Sequence, residues 1–535
     1  MRLKNLQYFS FVLFVLNVHQ SIAQTQIYLD YWDKAQKIKK SEGKYEEGKE
    51  DGKWTYYYQK GTVQEISNYK KGKLMGFSQR FYPNGNIENE GYFKNNALDS
   101  LAKNFYENKN LKETGFYKAG IKTGIWKNYY EDGKIGSEEF FSDSTKKIQQ
   151  FWDKSGNQTI ANGKGKMTTY YSNDNKKQET LFENGMPNGD YIEVYISGKN
   201  KLQGSFTNGY KNKIWKQWYP EGALEKSETY LDDTLDGAFV KYYQNTKTSE
   251  KGNFEKGKKK GLWEFYFEDG KLDMKGSFTD DLQNGDWIFM YPNGQVYYNG
   301  KYEDGKKEGE WSYFYNTGTI WKKGFYAGDQ KSGIWMTWFE NGKKLQEGNY
   351  LEGKENGLWF SWFESGQKKD EGSFNNGKME GIWEGWYMNG NENYSGSWLK
   401  DQKQNKWIYY YSDGRKDEEG FYKDGAKQGT WTDYNEGGNT ISKVNYLNNK
   451  PDGATEYFFD SGAKWRQGVM KEGLMNGLFI TYYQQGQIET KVEYRNNKLN
   501  GRYQQYTERG NLISDLVYEN GKKVKTIVDA KSPKN

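Results

Sequence analysis

The chain has 535 residues, more than one ordinary hydrophobic core organises. It is 34% hydrophobic and 18% aromatic, with 63 glycines, 6 prolines, one histidine and no cysteine. The absence of cysteine excludes a disulfide framework and thiolate metal sites, and a formal charge of only +6 argues against general nucleic-acid binding. Many aromatics and glycines with few aliphatics predict strands joined by tight turns.

Residues 1–23 have the pattern of a secretory signal peptide. Arg2 and Lys4 supply the positive start, residues 9–18 form a short apolar run, and a small-x-small sequence ends at Ala23. The run is too short to span a bilayer comfortably. We therefore predict a cleaved signal and a secreted, periplasmic or cell-envelope location, with no lipobox cysteine and no transmembrane segment. An uncleaved interfacial anchor is the alternative.

Cleavage would lower the formal charge from +6 to +4 and would also remove the single histidine, His19. The mature chain would then contain neither histidine nor cysteine. Nucleophilic systems that need a histidine or a cysteine are excluded on that basis, as are typical zinc and copper sites.

The rest of the chain is a 24-residue repeat. In the N-terminal region, 24–148, units start at Gly52, Gly76, Ser100 and Gly124, and fifteen in-register units fill 165–524, starting at 165 and at every 24th residue through 501. The two blocks are out of phase, which makes 149–164 an irregular short unit or a joint. Residues 525–535 form a polar tail. A fixed period of this length is typical of repeat architectures.

Each unit, numbered from its starting residue as position 0, reads as one β-hairpin. Position 2 is often Trp, positions 5 and 6 are aromatic, positions 9 and 15 are usually Gly, and position 17 is Tyr or Phe. The sequence "YPNG" occupies positions 6–9 at 82–85 and at 291–294, which suits a type I turn with a glycine bulge. Gly, Asn or Asp at position 20 tolerates the left-handed backbone of the following turn.

The unit "GxWxxYYxxGxxxxxGxYxxGKxx" resembles the MORN repeat, and more closely the bacterial MORN repeat variant of proteins called YwqK-family antitoxins. The resemblance covers roughly residues 28–524. It implies an all-β fold, an elongated array of stacked antiparallel hairpins in a single twisted or curved meander sheet. It also implies binding or scaffolding, with no catalytic, cofactor or metal residues. The antitoxin name fits poorly with a signal peptide and this length.

The turn at positions 6–9 would pair position 5 with position 11 across the hairpin. Alternation along strands then predicts that positions 1, 5, 11 and 17, with the glycine at position 15, form the better-buried face. Positions 2 and 6 should lie on the more open face. Nineteen units at two strands each would extend roughly 180 Å along the sheet.

The rings at positions 2 and 6 are therefore the candidate binding residues. They could stack on sugars along a polymer, or they could pack against one another between hairpins. The candidates are Trp263, Trp287, Trp311, Trp335, Trp359, Trp383, Trp407, Trp431, Tyr291, Tyr315, Phe339, Phe363, Tyr387 and Tyr411.

The glycine-lysine turns are weaker candidates. "GKYEDGKK" at 300–307 follows from the repeat, and without a Ser or Thr after the lysine it is not a phosphate-binding loop. Lys258–Lys260 with Lys306 and Lys307 could form a basic edge against anionic lipid, but Glu303, Asp304 and Glu308 beside them favour a solvated edge.

The sequence thus predicts a protein that is not an enzyme and needs no cofactor. We expect an extracytoplasmic scaffold or binding protein whose partner is another protein along an extended β surface, with no nucleic-acid partner. A glycan- or envelope-membrane-binding module is the alternative, and an antitoxin-like role follows from the family name only. The sequence does not indicate an oligomeric state.

Overall fold

A computed structural model describes residues 27–142 and 145–530. The predicted signal peptide lies outside these residues, as does the end of the predicted tail. The described residues contain strands and turns but no helix. They divide into two compact units, unit 1 up to Asp236 and unit 2 from Gly237.

The strands of unit 1 are β1 Ile27–Tyr31, β2 Lys39–Glu46, β3 Lys49–Tyr57, β4 Val63–Lys70, β5 Lys73–Leu74, β6 Gly76–Phe81, β7 Ile87–Lys94, β8 Ala97–Phe105, β9 Leu111–Lys118, β10 Ile121–Tyr129, β11 Ile135–Ser142, β12 Thr145–Trp152, β13 Gln158–Ala161, β14 Lys164–Tyr170, β15 Lys176–Glu183, β16 Met186–Val194, β17 Asn200–Thr207, β18 Tyr210–Trp218 and β19 Leu224–Leu231.

The boundary between the units falls within β20. The remaining strands are β20 Thr234–Tyr242, β21 Thr248–Glu255, β22 Lys258–Tyr266, β23 Leu272–Thr279, β24 Leu282–Met290, β25 Val296–Glu303, β26 Lys306–Phe314, β27 Ile320–Ala327, β28 Gln330–Trp338, β29 Lys344–Leu351, β30 Lys354–Trp362, β31 Lys368–Asn375, β32 Lys378–Trp386, β33 Glu392–Leu399, β34 Gln402–Tyr410, β35 Lys416–Lys423, β36 Ala426–Tyr434, β37 Thr440–Leu447, β38 Lys450–Phe458, β39 Lys464–Lys471, β40 Leu474–Met475, β41 Gly477–Tyr482, β42 Ile488–Arg495, β43 Lys498–Tyr506, β44 Leu512–Glu519 and β45 Lys522–Asp529.

Within each unit, strands pair antiparallel with their neighbours in the chain, for example β30 with β29 and β31. The fold is therefore all-β, a meander of stacked hairpins, as the sequence predicts. The first turn of the repeat is also confirmed. In the unit starting at Gly357, the amide of Gly366 donates to the carbonyl of Phe363 at 2.8 Å, and Gly366 has φ +92°. A type I turn closed by a left-handed glycine has this geometry.

The second turn joins one unit to the next through two left-handed residues. Asn375 pairs with Lys378, and the two residues between them, Asn376 and Gly377, have φ +51° and +80°. This is a type I′ turn, whose twist matches that of the flanking strands. Left-handed backbone at positions 19 and 20 explains why Gly, Asn and Asp recur there.

The pairing of position 5 with position 11 is confirmed, but the expected assignment of faces is wrong. Trp362 pairs with Lys368, whereas Ser361 pairs with Asp370, so residue 369 at position 12 is an extra residue in its strand. A one-residue bulge shifts every later side chain to the other face. Positions 13, 15 and 17 therefore share a face with positions 2 and 4, and not with positions 1 and 5.

We call the side of positions 2, 4, 13, 15, 17 and 22 the tryptophan face, and the side of positions 1, 3, 14, 16 and 23 the open face. The tryptophan face is the buried one. The position-2 tryptophans are at most 8% exposed, whereas position-1 residues such as Leu358 and Ile382 are 56% and 68% exposed. This reverses the predicted burial, because the prediction took no account of the bulge.

Each buried tryptophan lies flat against a glycine of the preceding hairpin. Gly348 pairs with Trp359 across neighbouring strands, and a Cβ atom added to Gly348 would lie only 2.0 Å from the nearest carbon of the indole ring. Rings of Tyr350 and Phe374 flank this indole edge-on, with centroids at 5.2 and 5.7 Å. A sheet with few aliphatics is thus packed by one layer of interlocked rings.

A different packing occurs around the predicted joint, 149–164. There the four-residue strand β13 contributes Ile160, which has no exposed surface. Ile160 packs with Ile148 and Phe182 in a small aliphatic and aromatic cluster. Isoleucine and phenylalanine side chains therefore form the buried cluster at this segment.

Candidate functional site

The structure places the predicted row of tryptophans inside the packing of the sheet. All eight candidates donate their indole N–H to the backbone carbonyl of position 16 in the preceding unit, at 3.0–3.2 Å. Their faces are covered by the glycine below and by the neighbouring rings. These rings hold adjacent hairpins together and are not exposed as a stacking platform.

The predicted rings at position 6 are half-buried, and their hydroxyl groups connect successive hairpins. Tyr315 donates its hydroxyl to the carbonyl of Trp338 at 2.9 Å, and Tyr387 donates to the carbonyl of Tyr410 at 2.7 Å. Tyr291 and Tyr411 bond in the same way to the carbonyls of Phe314 and Tyr434. Phe339 and Phe363 fill the same position without a hydroxyl.

The lysines of the predicted basic edge lie in two environments, some above tryptophan rings and one in an ion pair. Lys307, at position 22, turns onto the tryptophan face with its Nζ 4.4 Å from the ring of Trp311, and Lys259 lies 4.1 Å from Trp263 in the same way. Their neighbour Lys260 instead forms an ion pair with Glu255. These residues therefore do not form one continuous basic edge.

Position-22 lysines of this kind recur above a tryptophan. The Nζ–centroid distances are 3.8 Å for Lys122 over Trp126, 4.6 Å for Lys211 over Trp215, 4.7 Å for Lys331 over Trp335, 4.3 Å for Lys403 over Trp407 and 3.7 Å for Lys427 over Trp431. A cation above an indole is stabilising, so this contact is a regular part of the tryptophan face. The sequence carries a signal for this contact, because a lysine four residues before the tryptophan recurs from unit to unit.

Exposed apolar side chains gather on the open face of unit 1. Positions 1 and 16 pair across each hairpin, and in three consecutive units both positions are apolar. We call these six residues the apolar patch: Phe77 with Tyr92, Leu101 with Phe116, and Ile125 with Phe140. Five of the six are 37–53% exposed. Spanning β6 to β11, the patch is about 24 Å long at a strand spacing of about 4.8 Å.

Charged side chains beside the apolar patch are paired with one another. Lys127 lies 2.8 Å from Glu138, and Lys103 lies 3.4 Å from Glu90. Thr114, at position 14 of the middle unit, donates its hydroxyl to the backbone carbonyl of Ala102 at 3.1 Å. The border of the patch is therefore close to neutral, which suits an apolar ligand surface better than a polyanion.

Over residues 237–530 of unit 2 the open face has no comparable patch, because an apolar residue at position 1 or 16 usually faces a polar one. Ile334 pairs with Asn349, and Phe421 pairs with Lys406. A depression of about 590 Å³ there is lined by Leu262, Ile288 and the cross-strand pair of Asp286 and Lys301, among others. Its charges sit where the apolar patch of unit 1 carries hydrophobic residues.

Acidic residues on the open face of unit 2 are also held by partners. Glu419 accepts a hydrogen bond from Tyr434 at 2.7 Å and lies 3.0 Å from both Lys406 and Lys416. Burial raises the pKa of Glu419, but these hydrogen bonds and charges outweigh it and lower the pKa to about 2. In the part of the chain that the structure describes, no three His, Cys, Asp or Glu residues gather as metal ligands.

The fold and its recurring contacts define a class of protein, a repeat protein of stacked β-hairpins in which a tryptophan packs against a glycine between most successive units. The chain is a MORN repeat protein, with repeats of the MORN repeat variant type. Nine segments match that family: 50–71, 78–95, 98–119, 122–143, 259–280, 307–327, 331–352, 355–376 and 475–496. Several of these segments begin at position 22, just after the type I′ turn. A search of curated proteins finds no match.

The solved structures that match this chain include the TcdB2-TccC3-Cdc42 crystal structure (9% identity), the TcdB2-TccC3 crystal structure (11%) and the Photorhabdus luminescens Tc holotoxin pore (10%), each with a TM-score of 0.13. The matches cover 88–92% of this chain but only 28–29% of those chains. Among the described residues, no helix is long and apolar enough to cross a membrane.

Proposed function

We propose that the protein is a non-enzymatic, extracytoplasmic scaffold that binds a partner protein through the apolar patch of unit 1. The observation that carries this proposal is the exposure of paired apolar side chains in three consecutive hairpins, with Phe116 53% and Ile125 52% exposed. Contiguous exposed apolar patches of this kind are typical of interaction surfaces. The extracytoplasmic location rests on the signal pattern at 1–23.

The occupant that fits the patch is an apolar face of another protein. The neighbouring charges are satisfied within the sheet, so they offer little to a charged polymer or an anionic membrane surface. The side chains stand on strands held rigidly by pairing on both sides, which lowers the entropy cost of binding. The glycan alternative relied on the row of tryptophans at position 2, and the eight candidate tryptophans are at most 8% exposed. This burial favours the protein-binding function.

Photo-crosslinking in the source organism tests the proposal. A photoreactive residue would replace Phe116 in one variant and Phe421 in a control. Both positions are position 16 on the open face, with exposures of 53% and 52%, but only Phe116 belongs to the apolar patch. We expect one partner protein to be joined at position 116, and none at position 421.

A second variant links the adduct to the patch. Leu101→Ser removes the apolar side chain paired with Phe116 and should weaken binding of the purified partner at least tenfold, with an unchanged far-UV circular dichroism spectrum. No adduct, or the same adducts at both positions, would overturn the proposal. An adduct of the chain with itself would show that the patch is a homodimer surface instead.

A further inference from the structure

Three half-buried lysines meet on the tryptophan face of unit 2, one on each of three neighbouring strands. Lys307 lies on β26, Lys322 on β27 and Lys331 on β28. The register places Lys322 opposite Tyr313, and Lys331 opposite Tyr326. Adjacent strands are about 4.8 Å apart, so the three strands bring their lysines into a region about 10 Å wide.

Two of the three lysines contact the buried ring of Tyr313, and the third contacts the neighbouring Tyr350. Lys307 Nζ lies 3.3 Å from the Tyr313 hydroxyl, and Lys322 Nζ lies 4.4 Å from the centre of the Tyr313 ring. Lys331 Nζ lies 3.3 Å from the Tyr350 hydroxyl. Tyr313 is only 7% exposed, so the phenol and indole rings form a fixed floor beneath the ammonium groups.

No described carboxylate forms an ion pair with any of these three lysines. Burial lowers the pKa of each, and for Lys322 the charges of Lys331 and Lys307 lower it further. Asp329 and Glu355 act in the opposite direction on Lys307 and Lys331, respectively. The cluster therefore concentrates positive charge that the sheet itself neutralises only in part.

The chain contains a second copy of the arrangement four repeats further on, and that copy is neutralised. Lys403, Tyr409 and Lys427 correspond to Lys307, Tyr313 and Lys331, and Lys403 Nζ lies 2.5 Å from the Tyr409 hydroxyl. Glu418 stands in place of Lys322, with its carboxylate 2.9 Å from Lys427 Nζ. The same scaffold thus accommodates a carboxylate among its lysines.

We propose that the cluster of Lys307, Lys322 and Lys331 binds a carboxylate side chain from an acidic segment of a partner protein. The partner supplies from outside the negative charge that Glu418 supplies within the second copy. The cluster is short, because the equivalent of the position-22 lysine is Gln283 in the unit before and Glu355 in the unit after. A short cluster suits a local acidic segment rather than a long polyanion or a membrane surface.

This site lies in unit 2 on the tryptophan face, whereas the apolar patch lies in unit 1 on the open face, so the two proposals are independent. Fluorescence anisotropy with a fluorescein-labelled hexaglutamate peptide and the full-length mature chain tests it. Lys322→Glu reproduces the residues of the second copy and should weaken binding at least tenfold. Glu418→Lys reproduces the proposed site and should raise the stoichiometry from one peptide to two.

Each substitution installs a side chain that the chain already carries at the equivalent position, so both variants should fold, as circular dichroism would verify. Equal peptide affinity in wild type and Lys322→Glu, or no second site in Glu418→Lys, would overturn the proposal. Binding of inorganic phosphate or phosphatidylserine vesicles that depends on Lys322, without peptide binding, would also overturn it. Phe116→Ser should leave peptide affinity unchanged, which separates this result from the fate of the apolar patch.

Discussion

The lock between Gly348 and Trp359 can be tested by exchanging both residues for a pair that the protein already uses elsewhere. At the equivalent positions further along, Val444 pairs with Thr455, and these residues are 6% and 1% exposed. Gly348→Val places a branched side chain where the indole ring lies. Trp359→Thr removes that ring and its hydrogen bond of 3.2 Å to the carbonyl of Asn349.

Each single substitution should be costly, and the double substitution should be cheaper than their sum. Overpacking at Gly348 costs about 3 kcal/mol, and removal of a buried tryptophan costs about 4 kcal/mol. In the double variant the valine occupies part of the vacated space, and we expect a loss of about 3 kcal/mol, so the two changes should be coupled by several kcal/mol.

Native-state hydrogen exchange over residues 344–362 measures this locally, which suits a repeat protein that does not unfold as one unit. Each single variant should lose amide protection there, and the double variant should retain part of it. Leu358→Thr, on the exposed side of the same strand, is the matched control and should change little. Losses that add within about 0.5 kcal/mol would refute the interlocking of ring and glycine.

Three further outcomes are expected. Tyr315→Phe should cost about 1 kcal/mol of local stability, because it removes the hydroxyl bond to the Trp338 carbonyl; amide protection over residues 330–338 unchanged from wild type would contradict this. Deleting 333–356 should preserve folding, whereas deleting 333–344 should disrupt a hairpin, and equal circular dichroism losses from both would refute register-dependent stacking. The lowered pKa of Glu419 contributes stability above about pH 4.5 that is lost as the pH falls towards about 2. Glu419→Gln should therefore flatten the dependence of Tm on pH in that window. Identical pH profiles in the variant and the wild type would exclude this role of Glu419.

The repeat period and both turns could be predicted because each depends on residues with a strong backbone preference. Gly366 and Gly377 adopt left-handed conformations that few other residues tolerate, so their spacing marks the hairpin ends. Tryptophan and tyrosine at fixed positions mark the strands between them. The correct pairing of Trp362 with Lys368 followed directly from the turn.

The assignment of faces could not be predicted in the same way. The extra residue at position 12 is Trp321 in one unit and Lys369 in another, since a bulge of this kind uses ordinary backbone angles and needs no special residue. A more informative signal was the pairing of glycine at position 15 with tryptophan at the next position 2. Where the glycine is replaced by Val444, the tryptophan is also replaced, by Thr455. This joint change indicates direct contact between the two positions.

The apolar patch was visible in the sequence only once the register was known. Positions 1 and 16 lie fifteen residues apart, and Leu101 and Phe116 are unremarkable hydrophobic residues when read singly. The three-lysine cluster also becomes visible only when the register is known, because Lys307, Lys322 and Lys331 come from two successive units. Both sites arise from contacts across strands, and their positions depend on the bulge that the sequence does not mark.

Strand pairing between chain neighbours has a mechanical consequence. A force applied along the backbone of either unit would peel hairpins off one after another, because the strands that the structure describes pair with strands close to them in the chain. Each released repeat of 24 residues would add about 80 Å of slack at 3.3–3.6 Å per residue. Such a protein would yield to tension in small, reversible steps, lengthening under load while the remaining hairpins keep their shape.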